Sequence, residues 1–251
     1  MSSEPPRLSI IFPAYNEADG MLSALEAALR YVEAREIDGE IIVVDDGSRD
    51  ATGEIAREFA ASHRQVRVLS HAPNRGKGYA VKQGMLAACG ERRVFLDVDL
   101  ATPVEEIDKL LEALDLGAEV AIGTRYVSAS AVEVKQRLPR RLMGSVFRLL
   151  ARLLLRLPTS DFTCGLKGFR AEVAEELFGR LGEPGWAFDV ELILLAIRSG
   201  RRLVEAPIRW RDVRGSTVAP LSAAIESLRA LRRIRANDRR GLYEPARDRE
   251  A

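Results

Sequence analysis

The stretch Val94-Phe95-Leu96-Asp97-Val98-Asp99-Leu100-Ala101-Thr102-Pro103 carries the most specific chemical signal in this chain. Its first three residues are typical of a strand buried on both faces, and Asp97 and Asp99 follow where that strand ends. Residues at i and i+2 of an extended segment point to the same side, so both carboxylates can face one cation. Carboxylate oxygens suit Mg²⁺ or Mn²⁺ held together with substrate phosphates. The alternative is a strand end whose acids are solvated or cap a helix beginning near Pro103.

The overall composition excludes some classes of function. The 251 residues include 38 basic and 37 acidic side chains, a formal net charge of +1, so no nucleic-acid partner is expected. Two cysteines are too few for a disulfide framework and fit a reducing compartment. The sequence shows neither a signal-peptide pattern nor an uninterrupted apolar run of membrane-spanning length. We therefore expect a cytoplasmic protein whose electrostatic function is local.

Apolar runs alternate with helical periodicity along the first half of the chain. Buried strands are predicted at residues 8–12, 41–44, 66–69, 94–96 and 120–123. Strand–helix alternation with short loops predicts an α/β fold with a mostly parallel sheet and helices on both faces. In such sheets ligands bind beyond the carboxyl ends of the strands. The side chains predicted at that edge are Tyr15, Glu17, Asp45, Asp46, Asp97 and Asp99.

The glycine-rich segment 74–78, Asn-Arg-Gly-Lys-Gly, matches neither of the common nucleotide motifs. A dinucleotide fingerprint needs a glycine where Val81 stands, and a Walker A loop needs a hydroxyl residue where Gly78 stands. Two interpretations remain open. The glycines form a flexible turn that brings Lys77 towards a nucleotide, or the segment is a helix start with a solvated lysine.

The second half of the chain is richer in basic amphipathic segments. Residues 137–157 predict a helix with a stripe of four arginines beside a broad apolar face. Such a helix fits peripheral contact with a membrane interface, and the alternative is a core helix whose arginines snorkel. Residues 221–235 predict a second helix of this kind. We expect one catalytic domain over 1–236 and a disordered charged tail over 237–251. The four arginines are Arg141, Arg148, Arg152 and Arg156.

Four motifs in order resemble the family-two glycosyltransferases of the GT-A type, a Rossmann-like fold. They are Phe12–Glu17, Val43–Ser48, Asn74–Gly78 and Asp97–Asp99. Three further segments resemble the dolichyl-phosphate β-glucosyltransferase branch more than the dolichyl-phosphate mannose synthase branch: Ala101-Thr102, Asp161–Phe169 and Trp186–Leu192.

The resemblance implies specific roles for individual residues. Asp97 and Asp99 would bind the Mg²⁺ or Mn²⁺ ion. Arg125 and Arg140 match positions that hold the acceptor phosphate, a role that suits the guanidinium group. The alternative for Arg140 is a membrane-facing or solvated charge. The nucleotide-binding residues implied are Pro13, Tyr15, Glu17, Asp46, Lys77 and Asp97.

The function implied is inverting transfer of a hexose, expected to be glucose from UDP-glucose, to a polyprenyl or dolichyl phosphate. A phosphate oxygen is already anionic, so positioning matters more than proton removal. A hydroxyl acceptor would need a base, for which Asp161 and Asp189 are the candidates. Their structural alternatives are a loop hydrogen bond for Asp161 and a helix cap for Asp189.

Three other functions stay open from the sequence. A soluble glycosyltransferase with a hydroxyl acceptor would share the donor site without an interfacial helix. A GDP-mannose-dependent polyprenyl-phosphate mannosyltransferase would differ in the shape of the donor pocket. A non-catalytic sugar-nucleotide binding module would keep the fold, but the intact Asp97-Val98-Asp99 argues against it.

Overall fold

The computed structural model describes the backbone of residues 5–125, 131–134, 138–212 and 220–244. Side chains are described over the same ranges except 131–134, 138–143 and 220–225. The strands are β1 (Leu8–Ala14), β2 (Gly39–Asp45), β3 (Val66–Ser70), β4 (Arg92–Phe95), β5 (Val120–Thr124), β6 (Ala131–Val134), β7 (Lys167–Arg170), β8 (Leu203–Pro207) and β9 (Arg209–Arg211). The helices are α1 (Ala18–Ala34), α2 (Thr52–Ser62), α3 (Lys77–Ala87), α4 (Ile107–Asp115), α5 (Leu138–Leu155), α6 (Ala171–Arg180), α7 (Phe188–Arg198) and α8 (Pro220–Arg239).

Seven strands form the main sheet in the order β3-β2-β1-β4-β7-β5-β8. Every neighbouring pair is parallel except the two that involve β7, which runs antiparallel to both β4 and β5. The predicted mostly parallel sheet is therefore confirmed. The sequence did not predict β7, because its Lys-Gly-Phe-Arg sequence lacks the run of β-branched residues typical of a buried strand. The strands β6 and β9 pair with each other in a separate small sheet.

Hydrophobic side chains cover both faces of the main sheet. Along β1, Ile10 and Phe12 pack on one face and Ile11 on the other, as the period of two in a strand requires. All three are fully buried. Burying each such side chain stabilises the fold by about 1.5–3 kcal/mol, so the alternating apolar strands account for the two-sided core.

The first strand extends further than predicted. We expected Pro13 to end β1, but the strand continues to Ala14 and pairs with β2 along its whole length. Pro13 lies beyond the paired part of β4, which ends at Phe95 opposite Ile11. A proline is tolerated there because fewer ladder hydrogen bonds are required of it.

The two basic helices form close to their predicted bounds, as α5 and α8. Within the part of the chain that the structure describes, no helix combines the length and apolar character needed to cross a membrane.

The predicted disordered tail is wrong for residues 237–244. Helix α8 continues to Arg239, and the Tyr243 side chain is only 4% exposed. The charged composition conceals this order, because a single aromatic residue anchors the segment after the helix ends. The remaining predicted tail, 245–251, lies outside the described residues.

Candidate active site

The predicted ligand edge of the sheet is formed by β2, β1 and β4, which are adjacent and parallel. The loops that follow these strands leave from the same edge, since all three strands point in one direction. The structure therefore brings the three predicted strand ends together. Their loops carry Tyr15, Glu17, Asp46, Asp97 and Asp99.

Asp97 is paired with a lysine from the glycine-rich turn. Lys77 Nζ lies 2.6 Å from Asp97 Oδ1, and the lysine side chain is mostly buried. Burial lowers the pKa of Lys77, but neighbouring carboxylates, led by Asp97, outweigh burial and raise that pKa above its usual value. Gly76, with φ 103°, sets the turn, and a Cβ there would lie 2.5 Å from the carbonyl oxygen of Pro184. Lys77 begins α3, so the segment is a helix start, but its lysine is paired with Asp97 and not solvated. The predicted approach of Lys77 to a nucleotide stays a prediction.

Gly165, in the loop before β7, contacts the other side of the Asp97 carboxylate. A Cβ added at Gly165 would overlap the Oδ2 atom of Asp97. Glycine is therefore required for this carboxylate to stay between Lys77 and the loop. Sequence analysis did not single out Gly165, since nothing local reveals that its Cα faces a carboxylate 68 residues earlier in the chain.

Asp99 and Glu17 add negative charge beside Asp97. Asp99 is exposed, and its Oδ1 accepts the N–H of Ala101 at 3.0 Å. Burial raises the pKa of Glu17 from 4.5 to about 7, with further contributions from the charges of Asp99 and Asp97. The three carboxylates therefore lie close enough to repel one another.

This donor set fits a hard divalent cation such as Mg²⁺ or Mn²⁺. Among the described residues, no three His, Cys, Asp or Glu side chains are grouped so that they could hold a metal by themselves. Two carboxylates completed by substrate phosphates are the arrangement expected for Mg²⁺ in a phosphate site. The capping alternative for Asp97 and Asp99 fails, because neither the 3₁₀ turn Val104–Glu106 nor α4 has a side-chain cap.

Asp46 holds the glycine-rich loop in place. Its carboxylate lies 2.5 Å from His71 Nε2 and accepts hydrogen bonds from the Asn74 side chain and the N–H groups of Arg75 and Gly76, each at 2.8 Å. Both oxygens of Asp46 thus hold the loop that leads to Lys77, and its predicted contact with the nucleotide stays a prediction. Sequence reasoning missed His71, because its partner lies 25 residues away.

The loop after β1 presents Tyr15 and Glu17. Tyr15 is 38% exposed, whereas Pro13 is buried within the strand. The loop is fixed by the second motif and by the start of α2, since the N–H of Asn16 donates to Ser48 Oγ at 3.0 Å and that of Glu17 donates to Thr52 Oγ1 at 2.8 Å. Asn16 has φ 55°, in the left-handed region that asparagine tolerates. The predicted nucleoside contacts of this loop stay predictions.

Arg125 and Asp161 form a bidentate ion pair. Arg125 Nε lies 2.6 Å from Asp161 Oδ2 and Nη2 lies 2.8 Å from Oδ1, while Nη2 also donates to Thr163 Oγ1. Asp161 is fully buried, and burial alone would raise its pKa, but the bonds from Arg125 hold that pKa below its usual value. A carboxylate in this setting is a poor proton acceptor. The geometry matches the structural alternative for Asp161, and the predicted phosphate contact of Arg125 stays a prediction.

Asp189 pairs with a fully buried lysine that sequence reasoning missed. Lys167 Nζ donates to Asp189 Oδ1 and to the carbonyl oxygen of Cys164, both at 2.5 Å. Burial raises the pKa of Asp189, and the charges of Lys167 and Lys77 only partly oppose it. Asp189 lies in the first turn of α7, whose N-cap is Ala187 without a side-chain cap, so the capping alternative fails. Of the two predicted bases, Asp189 has the more basic setting.

Trp186, just before α7, faces the same region. It is 49% exposed, and its ring centroid lies 5.5 Å from Lys77 Nζ. Sequence analysis placed Trp186 only within a motif. Arg140 lies in α5 by its backbone, but its side chain lies outside the described residues.

Comparison with known proteins decides the family. Residues 9–178 match the model described as glycosyl transferase family 2. The chain belongs to this family. The glycosyltransferase is 37% identical over 226 residues to a dolichyl-phosphate beta-glucosyltransferase of Drosophila melanogaster, covering 85% of this chain and 69% of the relative. It is 33% identical over 255 residues to the Saccharomyces cerevisiae protein of the same name, covering 94% and 76%.

A solved structure agrees on the fold of the glycosyltransferase. Glucosyl-3-phosphoglycerate synthase from Mycobacterium tuberculosis, in complex with Mn²⁺ and UDP-glucose, matches with a TM-score of 0.67 at 20% identity. The match covers 96% of this chain and 80% of that one. The predicted GT-A fold and family-two membership are therefore confirmed.

We predict that Gly165→Ala weakens metal binding without unfolding the protein. The added methyl group displaces the Asp97 carboxylate, so Mn²⁺ affinity measured by calorimetry in the presence of UDP should fall about 10–100-fold. Gly179→Ala is the matched control, because a Cβ there meets nothing within 4 Å. Unchanged Mn²⁺ affinity in Gly165→Ala would show that Mn²⁺ binding does not depend on the present position of the Asp97 carboxylate.

We predict that Glu17→Gln stabilises the metal-free protein above neutral pH. The folded-state pKa of Glu17 is raised from 4.5 to about 7, so its contribution to stability is full below pH 4.5 and is lost as pH rises through 7. In EDTA the variant should melt about 1–3 °C higher than the wild type at pH 8, a small shift because Glu17 is partly exposed to solvent. At pH 4 the difference should vanish. A difference in Tm between variant and wild type that is the same at pH 4 and pH 8 would contradict the raised pKa of Glu17.

Proposed function

We propose that this glycosyltransferase transfers glucose from UDP-glucose to a dolichyl or polyprenyl phosphate, with inversion at the anomeric carbon. The observation that carries the proposal is the acidic edge where Asp97, Asp99 and Glu17 adjoin Lys77. That edge has the charges needed to bind a diphosphate together with a cation. The names of the 37% and 33% identical relatives supply the sugar and the acceptor.

The donor would bind along the carboxyl edge of β1, β2 and β4. Asp97 and Asp99 would hold Mg²⁺ or Mn²⁺, which when bound supplies positive charge to the leaving diphosphate. Lys77 contributes an ammonium group whose pKa is raised, so it stays charged at neutral pH. Tyr15 and Glu17 are accessible for the nucleoside, and Asp46 fixes the loop that leads to Lys77. These charged groups are thus preorganised before the substrate binds, which favours stabilisation of the transition state.

The acceptor phosphate would attack the anomeric carbon from the side opposite the diphosphate. Its oxygen forms the new bond to C1 while the bond from C1 to the diphosphate oxygen breaks, and UDP leaves with the bonding electrons. No proton needs to be removed from the phosphate, so the principal task of the protein is alignment. Arg125 and Arg140 are proposed to hold the acceptor, and in the present structure Arg125 is pre-oriented by Asp161.

One observation favours a second candidate, a hydroxyl acceptor. Asp189 has a raised pKa and lies near Lys77, whose own pKa it influences. A carboxylate of this kind can accept a proton from an alcohol. With the lipid phosphate as acceptor, Asp189 instead balances the charge of Lys167.

Helix α5 supports a lipid acceptor through its exposed surface. Val146, Leu149 and Leu153 are 49%, 57% and 69% exposed and share one face, and Arg152 and Arg156 are also exposed. A snorkelling core helix would bury these apolar side chains, as α5 does bury Ala151 and Leu155. We propose that this α5 face rests on an anionic membrane surface, on the cytoplasmic side, where lipid phosphates attract the arginines.

The proposal is tested by assaying UDP-glucose and GDP-mannose with dolichyl phosphate in detergent micelles, with Mn²⁺ or Mg²⁺. We expect radioactive glucose from UDP-glucose to enter the organic phase as a β-linked lipid phosphate. Transfer of mannose alone, or of glucose only to a water-soluble alcohol, would support the alternatives instead. Absence of turnover with every donor would favour a binding module.

We predict that Asp99→Ala abolishes the metal dependence of UDP binding. In thermal-shift measurements UDP with Mn²⁺, at about 100 times Kd, should raise the wild-type Tm by about 5–10 °C. The variant should lose the increment that Mn²⁺ adds, because one of the two proposed metal ligands is gone. Asp115→Ala is the control, since that exposed acid lies at the end of α4. An undiminished Mn²⁺ increment in Asp99→Ala would contradict the metal assignment.

We predict that Leu149→Gln with Leu153→Gln weakens binding to anionic vesicles. Each substitution removes apolar area from the α5 face, so the partition coefficient in flotation should fall by at least about tenfold. Leu116→Gln is the matched control, because Leu116 is 72% exposed but follows α4 and leads to the amino end of β5, away from the site. Equal flotation of the double variant and the wild type would argue against α5 as the membrane contact.

A further inference from the structure

The C-terminal segment is connected to the donor site through one loop. Residues 182–187, here called the Trp186 loop, join α6 to α7 and are held by side chains from both α7 and α8. Glu191 of α7 is 3% exposed, and its Oε2 accepts the N–H groups of Gly182 and Glu183 at 3.0 and 2.5 Å. Its Oε1 accepts the hydroxyl of Tyr243 at 2.7 Å.

A second link joins α8 to the same loop. Arg233 Nη2 lies 2.8 Å from Glu183 Oε2, and Glu183 is almost fully buried although Arg233 is 57% exposed. The N–H of Gly185 donates to Glu183 Oε1 at 3.3 Å. The Glu183 carboxylate therefore holds the Trp186 loop by accepting the N–H of Gly185 on one side and the guanidinium of Arg233 on the other.

The loop in turn contacts the glycine-rich turn. The N–H of Tyr79 donates to the carbonyl oxygen of Pro184 at 3.1 Å, and a Cβ at Gly78 would lie 2.5 Å from the carbonyl oxygen of Glu183. A Cβ at Gly76 would likewise lie 2.5 Å from the carbonyl oxygen of Pro184, so the two backbones are in direct contact on either side of Lys77. Displacement of the Trp186 loop would remove the backbone contacts that help to position Lys77.

We propose that Tyr243 and Arg233 are positioning residues for the donor site. They act through Glu191 and the Trp186 loop on Lys77, and so on the binding of the nucleotide sugar. This inference rests on the proposed function for the identity of the donor. Binding affinity falls in proportion to the fraction of molecules whose loop is in place, so loosening the loop weakens donor binding before it changes chemistry.

The test is steady-state kinetics of Tyr243→Phe and Arg233→Met in the full chain, with the donor and acceptor varied separately. Tyr243→Phe keeps the ring and removes the hydroxyl, which donates to Glu191 and accepts from the Asn237 side chain. We expect the KM for UDP-glucose to rise about threefold to tenfold in each variant. The kcat and the KM for dolichyl phosphate should stay within about twofold, and Arg233→Lys should restore most of the donor affinity.

Asp238→Asn is the matched control for general loosening of α8. Asp238 forms a bidentate pair with Arg198, at 2.7 and 2.9 Å, at the far end of α7 from the Trp186 loop. It should lower the urea midpoint at least as much as Tyr243→Phe while leaving the donor KM unchanged. A donor KM that rises equally in Asp238→Asn, or that stays at the wild-type value in Tyr243→Phe, would overturn the inference.

The same experiment separates this inference from the proposed function. If the wild type uses another nucleotide sugar, the proposed donor is wrong, and the positioning role is judged on the KM of the donor that is used. If UDP-glucose is the donor but Tyr243→Phe and Arg233→Met leave its KM unchanged, the proposed function stands and the positioning role is wrong. A wild type that binds no nucleotide sugar overturns both.

Discussion

The position of one carboxylate governs the architecture of the site. Asp97 is bound on one side by Lys77 and contacted on the other by Gly165, where any side chain would overlap it. Lys77 is positioned by the glycine turn that begins α3, and Gly165 is positioned by the loop that leads into β7. Since β7 lies between β4 and β5, the antiparallel strand is what brings the second half of the chain onto the acidic edge.

Two ion pairs divide the remaining acids into different roles. Asp161 is fully buried, yet the bidentate bonds from Arg125 hold its pKa low, so it keeps its negative charge and orients the guanidinium. Asp189 is paired through a single oxygen with Lys167, and burial raises its pKa. The number of hydrogen bonds to the charged form explains the difference, because each bond favours ionisation and burial opposes it.

The structure also places the proposed donor site and the exposed apolar face of α5 in the same domain. Helix α5 packs its Phe147 ring 6.1 Å from that of Phe162, the neighbour of Asp161, while Leu149 and Leu153 face outward. The helix with this exposed apolar face thus contacts the residue next to Asp161, the partner of Arg125. If α5 rests on a membrane as proposed, this proximity would let a lipid phosphate reach the proposed acceptor site without leaving the membrane surface.

The sequence by itself determined most strands of the sheet and the position of Asp97 and Asp99 where one strand ends, because strand periodicity is a local property, but it did not reveal β7. It also determined the family, through motifs that keep their order. Only the tertiary structure decided which basic side chain pairs with each buried acid, since Asp189 meets Lys167 across 22 residues and Asp161 meets Arg125 across 36. Desolvation and ion pairing depend on burial and distance in space, which composition and spacing along the chain do not specify.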